Sequence, residues 1–185
     1  MRFTDLSSAI VSDLSGKFPA LRACSTHPGR FDLAELKRVA IKTPAILVAC
    51  LGVPGLAEAG TEEKDVELVM AAFVLTKDQK GLSRDISALN LVEALLVHIP
   101  LQQWGMTGLG PAGAVAAENL YGGDIDKTGV AMWAVSWRHK IRIGESIWQE
   151  DGVLPDTVYA GYEPDVGLEH EPDYEEVTKG LEIMS

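Results

Sequence analysis

Apolar residues first recur at helical spacing over residues 4–14, where Leu6, Ile10, Val11 and Leu14 share one face. Thr4 is placed to cap that helix and Gly16 to stop it. After Phe18-Pro19 the periodicity fades into an irregular or extended stretch that ends on the turn signal His27-Pro28-Gly29. Asp32 then caps a short helix over 33–40, which Thr43-Pro44 closes. The unbroken apolar run 45–51 has strand length and suits burial on both faces. The Gly- and Pro-rich segment 52–60 reads as a loop, and 65–76, rich in Val, Leu, Met and Phe, as a second strand paired with the first.

Residues 83–99 form the longest predicted helix, capped by Ser83 or Asp85 and ended by Pro100. It is apolar almost all round, which predicts cover on more than one side. Residues 115–120 and 130–143 flank the turn-rich segment 121–129 and read as an antiparallel pair. The second of these alternates sharply. Val130, Met132, Ala134, Ser136, Arg138, Lys140 and Arg142 share one face; Trp133, Val135, Trp137, His139 and Ile141 share the other. The first face passes from apolar to basic, as if the far end of the strand leaves the core. The expected order is α-α-β-β-α-β-β: an α+β fold, with a mainly antiparallel sheet covered by helices on one face.

Charge divides the chain in two. Of 27 acidic and 16 basic residues, 12 and 1 fall within 145–185, so positions 1–144 hold 15 of each and the whole net charge of -11 belongs to the last 41 residues. We therefore expect a body over 1–144 and an extended acidic C-terminal arm over 145–185. Pro155, Pro164 and Pro172 disfavour a long helix in that arm, and Tyr159, Tyr162 and Tyr174 are its candidate apolar anchors. A neutral body with an acidic arm lacks the basic surface that nucleic-acid binding needs, so no sequence-specific nucleic acid is expected as a partner. No apolar run reaches membrane-spanning length. The start of the chain lacks a signal pattern, and with only Cys24 and Cys50 we expect reduced thiols and an intracellular site of synthesis.

Candidate chemistry is sparse. Gly108-x-Gly110-x-x-Gly113 formally matches a dinucleotide fingerprint, but a helix precedes it, Pro111 interrupts it, and no helix is expected after it. Asp124-x-Asp126-x-Thr128-Gly129 begins like a calcium loop, yet Val135 stands where the closing Glu should be. His27, His98, His139 and His170 have no metal-ligand spacing; Cys24 and His27 supply only two ligands. Neither a nucleophile elbow nor a phosphate loop occurs. We expect no enzyme, no cofactor and no metal.

Three stretches together resemble a family of small proteins encoded among the tail genes of Mu-like phages and prophages. They are Asp32-Leu-Ala-Glu-Leu-Lys-Arg-Val-Ala40 running into Lys42-Thr-Pro-Ala-Ile-Leu-Val-Ala49; Asn119-Leu-Tyr121 with Lys127-Thr-Gly-Val-Ala-Met-Trp-Ala-Val-Ser-Trp137; and Leu154-Pro-Asp-Thr-Val-Tyr159 with Glu169-His-Glu-Pro-Asp-Tyr174. The likeness runs in order through nearly the whole chain. It implies a virion structural protein, a tail terminator that forms a hexameric ring, caps the tail tube and joins it to the head-neck connector. Its implied partners are itself, the tail tube protein, the head-completion or neck proteins and the tail sheath; its implied place is the tail or neck of the virion, and the host cytoplasm during assembly. Candidate interface residues are Leu91, Leu95 and His98 on the long helix, Trp133, Trp137, Arg138, Lys140 and Arg142 on the last strand, and Tyr159, Tyr162 and Tyr174 in the arm. Two other readings remain: another neck or minor tail subunit, or a small cytoplasmic ligand-binding domain or enzyme using the loop from Gly108 to Gly113.

Overall fold

A computed structural model describes residues 3–29, 42–120, 122, 125, 128–146 and 157–177. The helix expected over 33–40 and most of the turn 121–129 lie outside these residues. The chain divides into two compact units, Met1–Glu145 and Ser146–Ser185, each with its own architecture.

The first unit is α+β: a five-stranded, mostly antiparallel sheet with both described helices packed on one face. Helix α1 (Phe3–Lys17) buries Leu6, Ile10 and Leu14, each contributing about 1.5–3 kcal/mol by leaving water. It runs one residue past Gly16, so Gly16 sits in its last turn rather than stopping it. The stretch that follows contains a short strand, β1 (Ala23–Thr26), parallel to β2 (Ala45–Glu58).

Strand β2 is twice the expected length. The Gly/Pro segment 52–58 reads as a loop by composition, but it continues the strand because β3 (Lys64–Lys77) pairs with it to Glu58. The register slips between Cys50 and Gly52 and again between Gly52 and Gly55, so Pro54, with no N–H to donate, lies where the ladder is interrupted. Helix α2 (Arg84–His98) follows, its start fixed by Ser83 Oγ accepting the Ile86 N–H at 3.4 Å. Strands β4 (Gly113–Asn119) and β5 (Val130–Ile143) complete the sheet in the order β1-β2-β3-β5-β4.

The pleat sorts residues as the alternation predicts. On the helix-covered face, Val66, Leu68, Met70, Ala72 and Val74 of β3 and Val135, Trp137 and Ile141 of β5 form the main core. They pack there with Leu6, Ile10 and Leu14 of α1 and with Val92 and Leu95 of α2. The opposite face holds a second cluster around Leu47, Phe73, Leu75 and Met132. Beyond it the same face turns to charge. Arg138 bonds Glu67 at 2.7 Å, and Arg142 grips both oxygens of Asp65 at 2.7 and 2.9 Å. That pairing holds the Asp65 carboxyl below the usual carboxylate range, mainly through the hydrogen bond from Arg142.

In the second unit, β6 (Tyr159–Ala160) pairs antiparallel with β7 (Glu175–Glu176), with a short 3-10 turn, Leu168–Asp173, between them. Within the expected arm, the described part 157–177 doubles back into a small lobe. Tyr174 fastens it: its hydroxyl accepts the Gly167 N–H at 2.7 Å, and its ring lies so close to Gly161 that a Cβ there would come within 2.5 Å. Only glycine fits at that position.

Candidate interaction surface

Helix α2 is apolar almost all round in sequence, but the described residues bury one side of it. Ala88, Val92, Leu95 and, just past the end, Ile99 point into the core at spacings of four, three and four. Ile86 and Val97 lie opposite that stripe and Leu89 and Leu96 on its flank, all exposed, with Val97 80% open to solvent. Leu82 before the helix and Leu101 after it, the latter 78% exposed, lengthen this ridge. The sheet of this chain supplies one of the covers expected for α2, and the remaining apolar surface faces outward.

Beside the ridge runs a groove between α2 and the segment 17–22. Two adjoining hollows of about 660 and 530 Å³ share Lys17, Phe18 and Asn90. Leu21, Leu82 and Leu91 give one hollow an apolar floor, and Val97 lines the other. The charged side chains along it are Lys17, Arg22 and Glu93, and the imidazole of His98 lies among them. His98 is engaged with Asp13 at 2.5 Å and meets Phe18 and Trp104 edge-on.

A third hollow, of about 780 Å³, lies at the far end of the sheet, where Leu56, Val66, Ile141 and Gly108 line it beside Asp65, Glu67, Lys140 and Arg142.

The segment after α2 is anchored by a buried polar node. Trp104 Nε1 donates to His139 Nε2 at 2.8 Å, and His139 Nδ1 stands 2.8 Å from the Gly110 carbonyl. One nitrogen must accept and the other must donate, so the imidazole is the neutral Nδ1–H tautomer. Burial pushes its pKa below the ordinary value, and the Gly110 bond opposes this only in part. Gly110 donates to the Lys140 carbonyl at 2.7 Å, and a Cβ on Gly110 would lie 2.9 Å from that oxygen. Strand β4 follows this loop, so its glycines meet no helix N-terminus of the kind that cradles a pyrophosphate. Among the described residues no group of three or more His, Cys, Asp or Glu could hold a metal ion. No helix among them is long and apolar enough to cross a membrane.

The residues singled out from sequence fall into distinct groups. Leu95 and Trp137 are fully enclosed by their own chain, and Leu91 and Trp133 are partly buried against the same core. The Trp137 indole N–H is buried without a hydrogen-bond partner among the described residues. His98 is partly buried, while Arg138, Lys140 and Arg142 are exposed on the charged end of the sheet. In the second unit Tyr159 and Tyr162 are exposed and Tyr174 is the fastener of the lobe. Sequence reasoning did not single out Trp104 or Phe18, and it counted Ile86, Leu89 and Val97 within the apolar helix without separating its outer side from its core side. A split of the helix into its two faces, anchored on the Ala88–Val92–Leu95 spacing, was the signal that could have found the ridge. No protein-family model matches the chain, and no curated protein matches it.

Proposed function

We propose that this chain is a structural subunit of a phage tail, a tail terminator that assembles into a ring of six, caps the tail tube and joins it to the head-neck connector. The exposed apolar ridge of α2 is the observation that carries this reading. Six exposed apolar side chains on and beside one helix, Leu82, Ile86, Leu89, Leu96, Val97 and Leu101, are costly to leave in water and mark a surface made to be covered. Closed cyclic assembly covers such a surface on every subunit without leaving free ends. The resemblance to the tail proteins of Mu-like phages supplies the tube, the neck proteins and the sheath as partners.

The test compares wild type with a Leu89→Glu/Val97→Glu variant by light scattering and negative-stain microscopy, alone and with tail tubes. Wild type should form sixfold rings on tube ends. The variant should keep its melting temperature, because both side chains face solvent, and fail to assemble. Unchanged rings in the variant would remove the ridge from the interface, and rings of another symmetry would remove the terminator assignment.

A further inference from the structure

The segment between α2 and the Leu109 bridge to β5 is pinned to the body by one large side chain. Of residues 101–108 only Trp104 is buried; Gln102 and Met106 are half-buried and the rest exposed. The Trp104 ring packs against Trp137, centroids 6.0 Å apart, and its indole N–H donates to His139 Nε2. Two bonds tie the base of the segment. Leu101 N–H donates to the Ala112 carbonyl at 3.0 Å, and Ala112 N–H to the Gln102 carbonyl at 2.8 Å. Closure also has a cost: Leu101 and Trp104 hold positive φ angles of 64° and 52°, which persist only where surrounding bonds enforce them.

His139 makes this closure depend on a proton. Its Nε2 must be bare to accept from Trp104, so a proton there sets donor against donor. Nδ1 keeps its bond to the Gly110 carbonyl in either state, so the chain beyond Leu109 stays in place. Across the ladder on β3 the neighbour of His139 is the apolar Leu68, and Arg138 and Lys140 belong to the opposite face of β5. The other titratable pair against Trp104 is His98 of α2, with its ring 6.1 Å away, and Asp13 of α1, which engages it. An imidazole freed into water takes its proton at about pH 6.5, and burial holds the closed one below that. Acid therefore favours the open form. Its population is constant above about pH 6.5 and rises about tenfold per pH unit below it, until the closed ring itself titrates.

We propose that residues 101–108 are a lid that opens as one unit when His139 Nε2 takes up a proton, withdrawing Leu101 from the apolar ridge. The withdrawal bears on assembly only if the ridge is the interface of the ring reading; the opening does not depend on it.

Hydrogen exchange of the full-length chain, corrected for intrinsic rates, tests the lid. The Trp104 indole N–H and the Leu101 and Ala112 amides should exchange together, faster than the Met70 and Ala72 amides of β3. Low urea should leave the first group unchanged, as it does a sub-global opening. Their protection should fall about tenfold per pH unit below about pH 6.5, and His139→Gln should abolish that slope. One shared rate and urea dependence for all five groups in the wild type would show that the segment opens only with the whole body, and would overturn the lid. A slope that survives in His139→Gln would overturn His139 as its trigger. Ring assembly, followed by light scattering, should weaken between about pH 7.5 and about pH 5.5 in the wild type and not in His139→Gln. Rings equally stable at both pH values beside an opening lid would overturn the withdrawal of Leu101, and leave the lid and the ring reading standing. A chain that forms no rings would remove the ring reading, and the withdrawal with it, while the exchange result still decides the lid.

Discussion

His139 ties the stability of the body to pH, and the sign of the effect follows from its partners. The ring is buried, neutral, and saturated by Trp104 Nε1 on one side and the Gly110 carbonyl on the other. A proton added to Nε2 would face the Trp104 N–H, donor against donor. Burial accordingly depresses the folded pKa below 6.5, so the unfolded chain takes up its proton first as the pH falls. The stability tied to the neutral ring is fully present above about pH 6.5 and is lost as the pH falls from there through the folded value, at no more than about 1.4 kcal/mol per pH unit. Urea unfolding followed from about pH 5 to pH 8 should show the midpoint falling on the acid side of that window, with an unchanged m-value. His139→Gln cannot titrate there and should flatten the dependence. His139→Ala leaves two buried partners unsatisfied, at about 1–3 kcal/mol each, and should destabilise the body by about 2–6 kcal/mol at neutral pH. If the acid-side slope persists in His139→Gln, another group causes it and the reasoning fails.

Three further outcomes are expected. Trp137→Ala should cost about 3–5 kcal/mol, as a fully enclosed aromatic, and Trp133→Ala measurably less because its side chain is only partly buried; equal melting temperatures for the two would contradict the burial order. Gly110→Ala should destabilise by about 1–3 kcal/mol, since backbone rather than a movable side chain blocks the new methyl group, and a neutral result in thermal melts would show that the loop yields. A chain ending at Gly144 should melt close to the intact protein but assemble weakly, and assembly of the intact protein should weaken as salt rises; failure of the shortened chain to fold would place the C-terminal unit within the stability of the body.

Strand β5 was legible because two faces with different fates leave a period-two pattern, and its bounds agree with the expected 130–143. The start of α2 was legible because Ser83 caps it by local chemistry. The outer half of β2 was not, since Gly52, Pro54 and Gly55 signal a loop locally while the interrupted ladder to β3 accommodates them. The turn after α2 was equally hidden: Leu101 and Trp104 take positive φ angles of 64° and 52°, a conformation more typical of glycine. Long-range bonds hold it, from Leu101 N to the Ala112 carbonyl and from Trp104 to His139, 35 residues on.

The surface was the least legible part, for a reason that bears on function. Apolar side chains on every side of α2 announce that its faces will be covered, but they do not say by what. The chain covers one side with its own sheet and leaves Ile86, Leu89 and Val97 in solvent. The groove beside them depends on segment 17–22 meeting Asn90 and Leu91 about 70 residues later, a juxtaposition that no local pattern encodes. Conversely Trp137, an obvious anchor by residue type, is enclosed in the core. Residue type identified the apolar elements, and only the packing decides which side chains on them remain exposed.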